Sequence, residues 1–282
     1  MPYFCAMVFR KSFLFLLLLS LLLSCSVEKK IAMEYMENKE PIKMLIMEPE
    51  FCYMINTNPY QIQYLESYPQ HKKDSLLYAK SKYVRYLDET LMRVQYLDTL
   101  FNNLQDLGFE IYNLDSLLPF LEMKEERYLL NIAQMQLLES QEVMVFSEIF
   151  DTLEYFVEYP ITKIDFDLWL ELSSLNKEDA EMQVFYANKS IQDKLKVRFY
   201  KKFLSLDVLY DKEYEALNFQ QIVNLPSQSA KEHAQAIFDL FLNQYIDNKL
   251  PENRKRKHFY TYDSEKGIIL VKRKKILQNY NP

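Results

Sequence analysis

From Asp74 to Leu107 apolar residues recur at helical spacing: Leu77, then seven residues on Val84, followed at three- and four-residue steps by Leu87, Leu91, Val94, Leu97, Phe101 and Leu104. That is the period of one long amphipathic helix or of two in succession. Asp74 or Asp88 is placed to cap an N-terminus, and Gly108 to close the C-terminal end. The flanking apolar runs are short and bounded by turn residues. Pro41 precedes Ile42 to Met47, Glu48-Pro49-Glu50 separates it from Phe51 to Ile55, and Phe109 to Leu114 follows the glycine. These runs read as strands, so residues 42–114 predict a β-α-β opening with parallel pairing.

Further along the period changes. Tyr128 to Leu138 alternates loosely and reads as a strand. Ile161 to Leu172 alternates well, with Ile164, Phe166, Leu168, Leu170 and Leu172 on one face and Lys163, Asp165, Asp167, Trp169 and Glu171 on the other. Met182 to Ala187 is expected to pair back on it as a hairpin. Helical patterning returns over Ile191 to Leu206 and over Asn218 to Val223. It is strongest from Ser227 or Ser229 to Ile246, where Ala230, Ala234, Ile237, Phe238, Phe241, Leu242 and Tyr245 form one apolar stripe behind a serine cap. Lys257 to Tyr262 and Ile268 to Arg273, joined by Asp263-Ser264-Glu265-Lys266-Gly267, predict a C-terminal β-hairpin. The expected fold is therefore α/β or α+β: a mixed sheet with flanking helices, opening β-α-β and closing on a hairpin.

Ahead of this domain, Arg10 and Lys11 precede a predominantly apolar run of eleven residues, Phe13 to Leu23, which leads into Leu22-Leu23-Ser24-Cys25. The run has the length of a secretory h-region and falls well short of the roughly 20 residues that cross a bilayer as a helix. A start at Met7 would supply an ordinary basic n-region, Met7 to Ser12. The string resembles a bacterial lipoprotein signal with its lipobox. The resemblance implies cleavage by signal peptidase II between Ser24 and Cys25, and acyl chains, palmitate among them, on Cys25. It also implies outer-membrane sorting, because Ser26 rather than Asp follows the cysteine. The expected organisation is a signal peptide over 1–24, a flexible polar tether over 25–40, an α/β domain over 41–248 and a basic hairpin over 249–282.

Composition narrows the chemistry. Of Cys5, Cys25 and Cys52, cleavage removes the first and lipidation uses the second, so no internal disulfide remains and stability must come from a core. Cys52 lies in an apolar strand-like run and reads as an inert core thiol. His71, His233 and His258 stand too far apart for a metal-ligand spacing, so no metal or cofactor is expected. The two glycines, Gly108 and Gly267, leave no glycine-rich phosphate cradle, dinucleotide fingerprint or nucleophile elbow.

Charge is unevenly placed on a chain of net −6: residues 249–282 hold ten basic residues against Glu252, Asp263 and Glu265. Arg254, Lys255, Arg256, Lys257, Lys272, Arg273, Lys274 and Lys275 form a candidate surface for anionic lipid headgroups or an acidic envelope partner. The same charges would equally solubilise an edge hairpin or dock on the acidic body of the chain itself. Nucleic acid is not an expected partner of an envelope protein. Trp169, alone of its kind, is the candidate contact residue if exposed and a core residue if covered. Asp165 and Asp167 stand about 7 Å apart along one strand face. They could serve a carboxylate-dependent hydrolase or hold a cation, or they could simply form a solvated face. The expectation is a lipid-anchored envelope protein facing periplasm or cell surface, without catalytic residues, in an interaction or assembly role. A glycan or small-ligand binding lipoprotein is the alternative, and the hydrolase comes third.

Overall fold

The computed structural model of the chain describes residues 27–58, 65–176, 182–203, 207–272 and 277–279. It is mixed α/β, as the patterning predicts, and divides into two compact units. One unit spans Pro41 to Ala234 and takes in the C-terminal residues from Ile276; the other joins residues up to Glu40 with Gln235 to Lys275. Helix α6, Leu225–Lys249, contributes its first turns to the former and the remainder to the latter. This differs from the expected boundary at 248/249, because the apolar stripe of α6 beyond Ala234 packs on the basic hairpin. The described hairpin residues, 257–272, share this second unit with most of α6.

The larger unit is built on a seven-stranded mixed sheet. Strand β1, Ile42–Met47, lies parallel to β3, Phe109–Tyr112, with Met44 opposite Ile111. Between them run β2, Cys52–Asn56, helix α2, Gln70–Lys80, and helix α3, Glu89–Asp106. The expected parallel β-α-β opening is present, with two helices in the crossover. Asp88 caps α3 by accepting from the Leu91 N–H at 3.1 Å, and Gly108 leaves the helix with φ 89°, a conformation costly for any side chain.

Strand β4, Arg127–Phe150, and strand β5, Leu153–Ser174, form an antiparallel hairpin of unusual length. Helix α4, Leu117–Glu122, precedes it. One edge of β4 is covered first by β1, to Asn131, then by β2, to Glu139. Beyond Glu139 no described strand pairs with that edge. Strand β6, Gln183–Gln192, pairs antiparallel with β5 as expected, and ends opposite Lys163. The short β11, Gln278–Asn279, adds to the other side of β6. A bulge between Ile132 and Gln134 lets Ile132 and Met135 both face the core.

That core lies on the sheet face carrying Ile164, Phe166, Leu168, Leu170 and Leu172. Tyr96 of α3 meets Phe166 at 5.7 Å between ring centroids, and its hydroxyl lies 3.0 Å from Nδ1 of His233 at the start of α6. The buried Glu139 carboxylate accepts the N–H groups of Lys82, Tyr83 and Val84, at 2.6 to 3.1 Å, fixing the connection between α2 and α3. Cys52 is buried, and desolvation pushes its thiol up to about 12, so it stays protonated and inert.

Where a helix is expected over Ile191 to Leu206, the chain instead forms β7, Lys194–Lys201, paired antiparallel with β8, Val208–Glu215. Ile191, Leu195 and Phe199 are four residues apart, a spacing that satisfies both a helical and a two-residue period. The alternation Lys194-Leu195-Lys196-Val197-Arg198-Phe199 decides it. Helix α5, Phe219–Val223, follows with a capping box from Asn218. Helix α6 starts at Leu225 rather than behind a serine: Pro226 suits the first turn, and Ser229 donates within the helix to the Leu225 carbonyl at 2.9 Å.

In the smaller unit, residues 27–38 of the expected flexible tether form helix α1, Val27–Asn38. Glu28, Ala32 and Tyr35 recur at four- and three-residue steps and are all buried. One member of that stripe is a carboxylate, which hides the apolar period. Strands β9, Phe259–Asp263, and β10, Ile268–Lys272, form the expected hairpin, turned at Gly267 with φ 65°. Asn243 of α6 binds it like a neighbouring strand, accepting the Tyr260 N–H at 2.8 Å and donating to the Tyr260 carbonyl at 2.7 Å.

Candidate functional site

Three surfaces hold the residues that the sequence singles out or that the fold exposes. The first is the sheet face opposite the core. Here β5 presents Lys163, Asp165, Asp167, Trp169 and Glu171 between Asn131, Gln134 and Gln136 of β4 and Tyr186, Asn188 and Ser190 of β6, each in direct cross-strand register. Asp167 accepts from Gln136 at 3.0 Å, from the Tyr186 hydroxyl at 2.7 Å and from Asn188 at 2.6 Å. Asp165 accepts from Ser190 and Asn188 and pairs with Lys163 at 3.4 Å. The carboxylates are only 7% and 5% exposed for Asp165 and Asp167, so the reading of this face as simply solvated is corrected: the long side chains of both neighbouring strands close over them. Burial and the Asp167 hydrogen bond push the Tyr186 hydroxyl well above its ordinary value, holding it protonated as a donor. Trp169 is half-buried and packs on Tyr186 at 5.0 Å. The result is a fixed hydrogen-bonding surface beside one indole ring. Among the described residues no group of three or more His, Cys, Asp or Glu is placed to hold a metal ion.

The second is the basic hairpin. Lys272 reaches Asp239, a fully buried carboxylate of α6, at 2.9 Å, and Arg256 reaches Asp247 at 3.3 Å. Burial raises the Asp239 carboxyl despite the Lys272 ammonium beside it. The main-chain N–H of Lys257 and the hydroxyl of Tyr260 donate to the buried Glu28, at 3.0 and 2.9 Å. These two bonds, with His258 and Arg254 nearby, outweigh desolvation and hold the Glu28 carboxyl below its ordinary value. Two of the candidate cations, Lys272 and Arg256, are therefore used inside their own unit, while Arg254, Lys255 and Lys257 are exposed. Arg273, Lys274 and Lys275 lie outside the described residues, as do Ser24 and Cys25.

The third surface lies on residues that the sequence does not single out. Beyond the end of β6, the β4–β5 hairpin continues as a two-stranded arm to its tip at Asp151-Thr152. About ten residues of each strand extend this way, roughly 33 Å at the usual rise. The β7–β8 hairpin lies against one face of the arm. The Tyr159 hydroxyl donates to that of Tyr210 at 3.1 Å, Lys212 sits 4.6 Å from the Tyr159 ring, and Lys201 pairs with Asp151. A cleft of about 210 Å³ between these hairpins is lined by Tyr159, Pro160, Leu195, Lys212 and Tyr214. The other face carries Val143, Val145 and Ile149 of β4 with Phe156 of β5, exposed by 50, 60, 70 and 67%. Apolar residues in such a contiguous row mark interaction surfaces. The signal was present in the alternation of Val143, Val145 and Ile149, but it continues without a turn from the strand expected to end at Leu138, and its apolar side faces solvent rather than core.

No known protein family matches the sequence, and comparison with curated proteins finds no match. Among the described residues no helix is long and apolar enough to cross a membrane.

Proposed function

We propose that this protein is a lipid-anchored component of the cell envelope with a non-enzymatic interaction or assembly role at the outer membrane. The lipid on Cys25 would provide the anchor and the β4–β5 arm the contact surface. The observation that carries the reading is the row Val143, Val145, Ile149 and Phe156, four large apolar side chains at least half exposed on a ribbon braced from behind by β7–β8. Leaving such a row in water forgoes burial worth about 1.5–3 kcal/mol per fully buried side chain, a cost offset when a partner covers it. Bracing fixes the ribbon beforehand, which lowers the entropy lost on association.

The anchoring half of the reading rests on the lipobox string and is tested by metabolic labelling with palmitate: label on the native chain and none on Cys25→Ala supports it. The contact half is tested by crosslinking in intact cells, followed by pull-down and mass spectrometry. Val145→Glu with Ile149→Glu should abolish capture of whatever the native chain retains.

The polar sheet face supports a second reading, binding of a glycan or other small polar ligand. Trp169 with a fixed row of Asp, Asn and Gln side chains is the chemistry that stacks on and hydrogen-bonds to sugar rings. Glycan screening with Trp169→Ala as control tests it. The carboxylate-dependent hydrolase would need Asp165 or Asp167 free to exchange a proton with substrate, whereas both are tied to neighbouring side chains.

A further inference from the structure

Among the described residues no strand pairs with the outer edge of β4 beyond Glu139. Residues Glu142 to Phe150 of β4 contain no Lys, Pro or Gly, and their only charges are Glu142 and Glu148. Natural sheet edges are ordinarily blunted by lysine, proline or brevity. The return strand is protected in this way: Pro160 stands directly opposite Val143. A proline in a ladder must turn its nitrogen to the outer edge, so the Val143–Pro160 pair is of the kind whose backbone groups point away from each other. By alternation Val143, Val145, Ser147 and Ile149 then present their N–H and C=O groups to the open side of β4. The Glu139 carbonyl, of the same parity, confirms the direction by accepting the Thr57 N–H at 2.9 Å from that side.

We infer that this edge pairs with the same edge of a second copy of the chain, antiparallel about a two-fold axis at Phe146, so that two arms form one four-stranded ribbon. The inference deepens the interaction role proposed above and rests on it. The edge is complementary to itself. With Phe146 opposite its own counterpart, Val143 faces Ile149, Val145 faces Ser147, Met144 faces Glu148 and Glu142 faces Phe150. No like charges meet, and every outward backbone group finds a partner, giving about eight inter-chain hydrogen bonds. Shifting the axis to Val145 sets Glu142 opposite Glu148, a repulsive pair. In the favoured register the two arms overlap from Gln141 to the tip. Because they run in opposite directions, the two sheets from which they project lie at opposite ends of the ribbon. The exposed rows of Val143, Val145 and Ile149 become continuous across the axis.

The test is sedimentation of the purified full chain, native and Val145→Pro. The substitution removes one outward N–H while leaving every β4–β5 hydrogen bond in place. The native chain should sediment as a dimer, and Val145→Pro, with unchanged far-UV circular dichroism, should raise the dimer Kd by about tenfold or more. Phe146→Cys provides a second route that does not depend on a proline. Non-hydrogen-bonded partners on antiparallel strands lie about 4.5 Å apart at Cα, within disulfide reach. Oxidation should therefore yield the peptide containing residue 146 linked to its own copy. A monomeric native chain with no such linked peptide overturns the inference. If a different protein is then captured by the arm in intact cells, the interaction role stands without the homodimer. If nothing is captured, both fall.

Discussion

The hydroxyl of Tyr214 donates to Oδ2 of Asp193 at 2.8 Å, tying the end of β8 to the junction between β6 and β7. The same buried carboxylate accepts the N–H groups of Thr162 and Leu217, each at 2.8 Å. Asp193 thus joins β5, the β6–β7 junction and the connection to α5 where the arm leaves the sheet. It is the residue that lets one hairpin brace another.

Asp193→Ala would leave two main-chain donors without their acceptor at a buried site, which costs about 3 kcal/mol. Chemical denaturation should show that loss, together with increased hydrogen exchange in β7 and β8. Burial raises the Asp193 carboxyl, but the bonds from Leu217, Thr162 and Tyr214 and the charge of Lys82 outweigh it, so its pKa is held below the ordinary value. A lowered carboxyl stabilises the folded state above its unfolded pKa, and that stability is lost as pH falls through the folded one. The native arm should therefore loosen in strong acid, while Asp193→Asn should lack that component.

His233 imposes a second pH dependence, in a milder range. Burial pushes its imidazole down to about 3, with the charge of Lys189 adding to the effect, so it is neutral in the fold beside the Tyr96 hydroxyl. The unfolded chain takes up a proton near pH 6.5 that the folded chain refuses, so stability falls on acidification below that value. The slope approaches about 1.4 kcal/mol per pH unit well below pH 6.5, so about 1.6 kcal/mol is lost between pH 6.5 and 5. Urea denaturation across this range should show it, and His233→Gln should flatten it.

Lys272 serves the hairpin before it serves any ligand. Lys272→Ala leaves the carboxylate of Asp239 buried without a counter-charge and should cost about 2–4 kcal/mol. Asp239→Asn on that background should recover most of the loss, because the neutral amide keeps its bond from Gln235 (2.9 Å in the native chain) and no longer needs a cation. If Lys272 were an ordinary surface charge, the first substitution would change stability by less than about 0.5 kcal/mol.

At the tip of the arm Asp151 and Thr152 both have positive φ, 47° and 82°. A β-branched residue is strained there, in a two-residue turn that favours Asp-Gly. Thr152→Gly should stabilise the hairpin by about 1 kcal/mol, seen as a raised denaturation midpoint with the m-value unchanged.

The opening strands, α3 with its Asp88 cap, the core face of β5 and the terminal hairpin were all legible in the sequence, because each carries a single clean period and its own punctuation. Three features were not. Helix α1 places Glu28 in its buried stripe, and a carboxylate satisfied by Lys257 and Tyr260, more than 220 residues away, has no local signature. Strand β7 shares its apolar spacing with a helix. The arm has no core-facing signature, because the apolar alternation of Val143, Val145 and Ile149 points to solvent. Of the candidate residues, Trp169 and the carboxylates Asp165 and Asp167 do converge, through cross-strand register with β6 that one strand's pattern cannot reveal. Lys272 and Arg256 turn inward to partners on α6 that the charge run alone could not identify.

The interaction role is tested most directly by placing a photo-crosslinking residue at Val145 or Phe156 in the lipidated protein and irradiating intact cells. Discrete adducts are expected from these two positions, to a second copy or to another envelope protein. None is expected from Lys196, on the face of β7 that is paired across the strand with Glu213 and points away from the arm. Adducts no more frequent at Val145 and Phe156 than at Lys196 would rule out the arm as the contact surface.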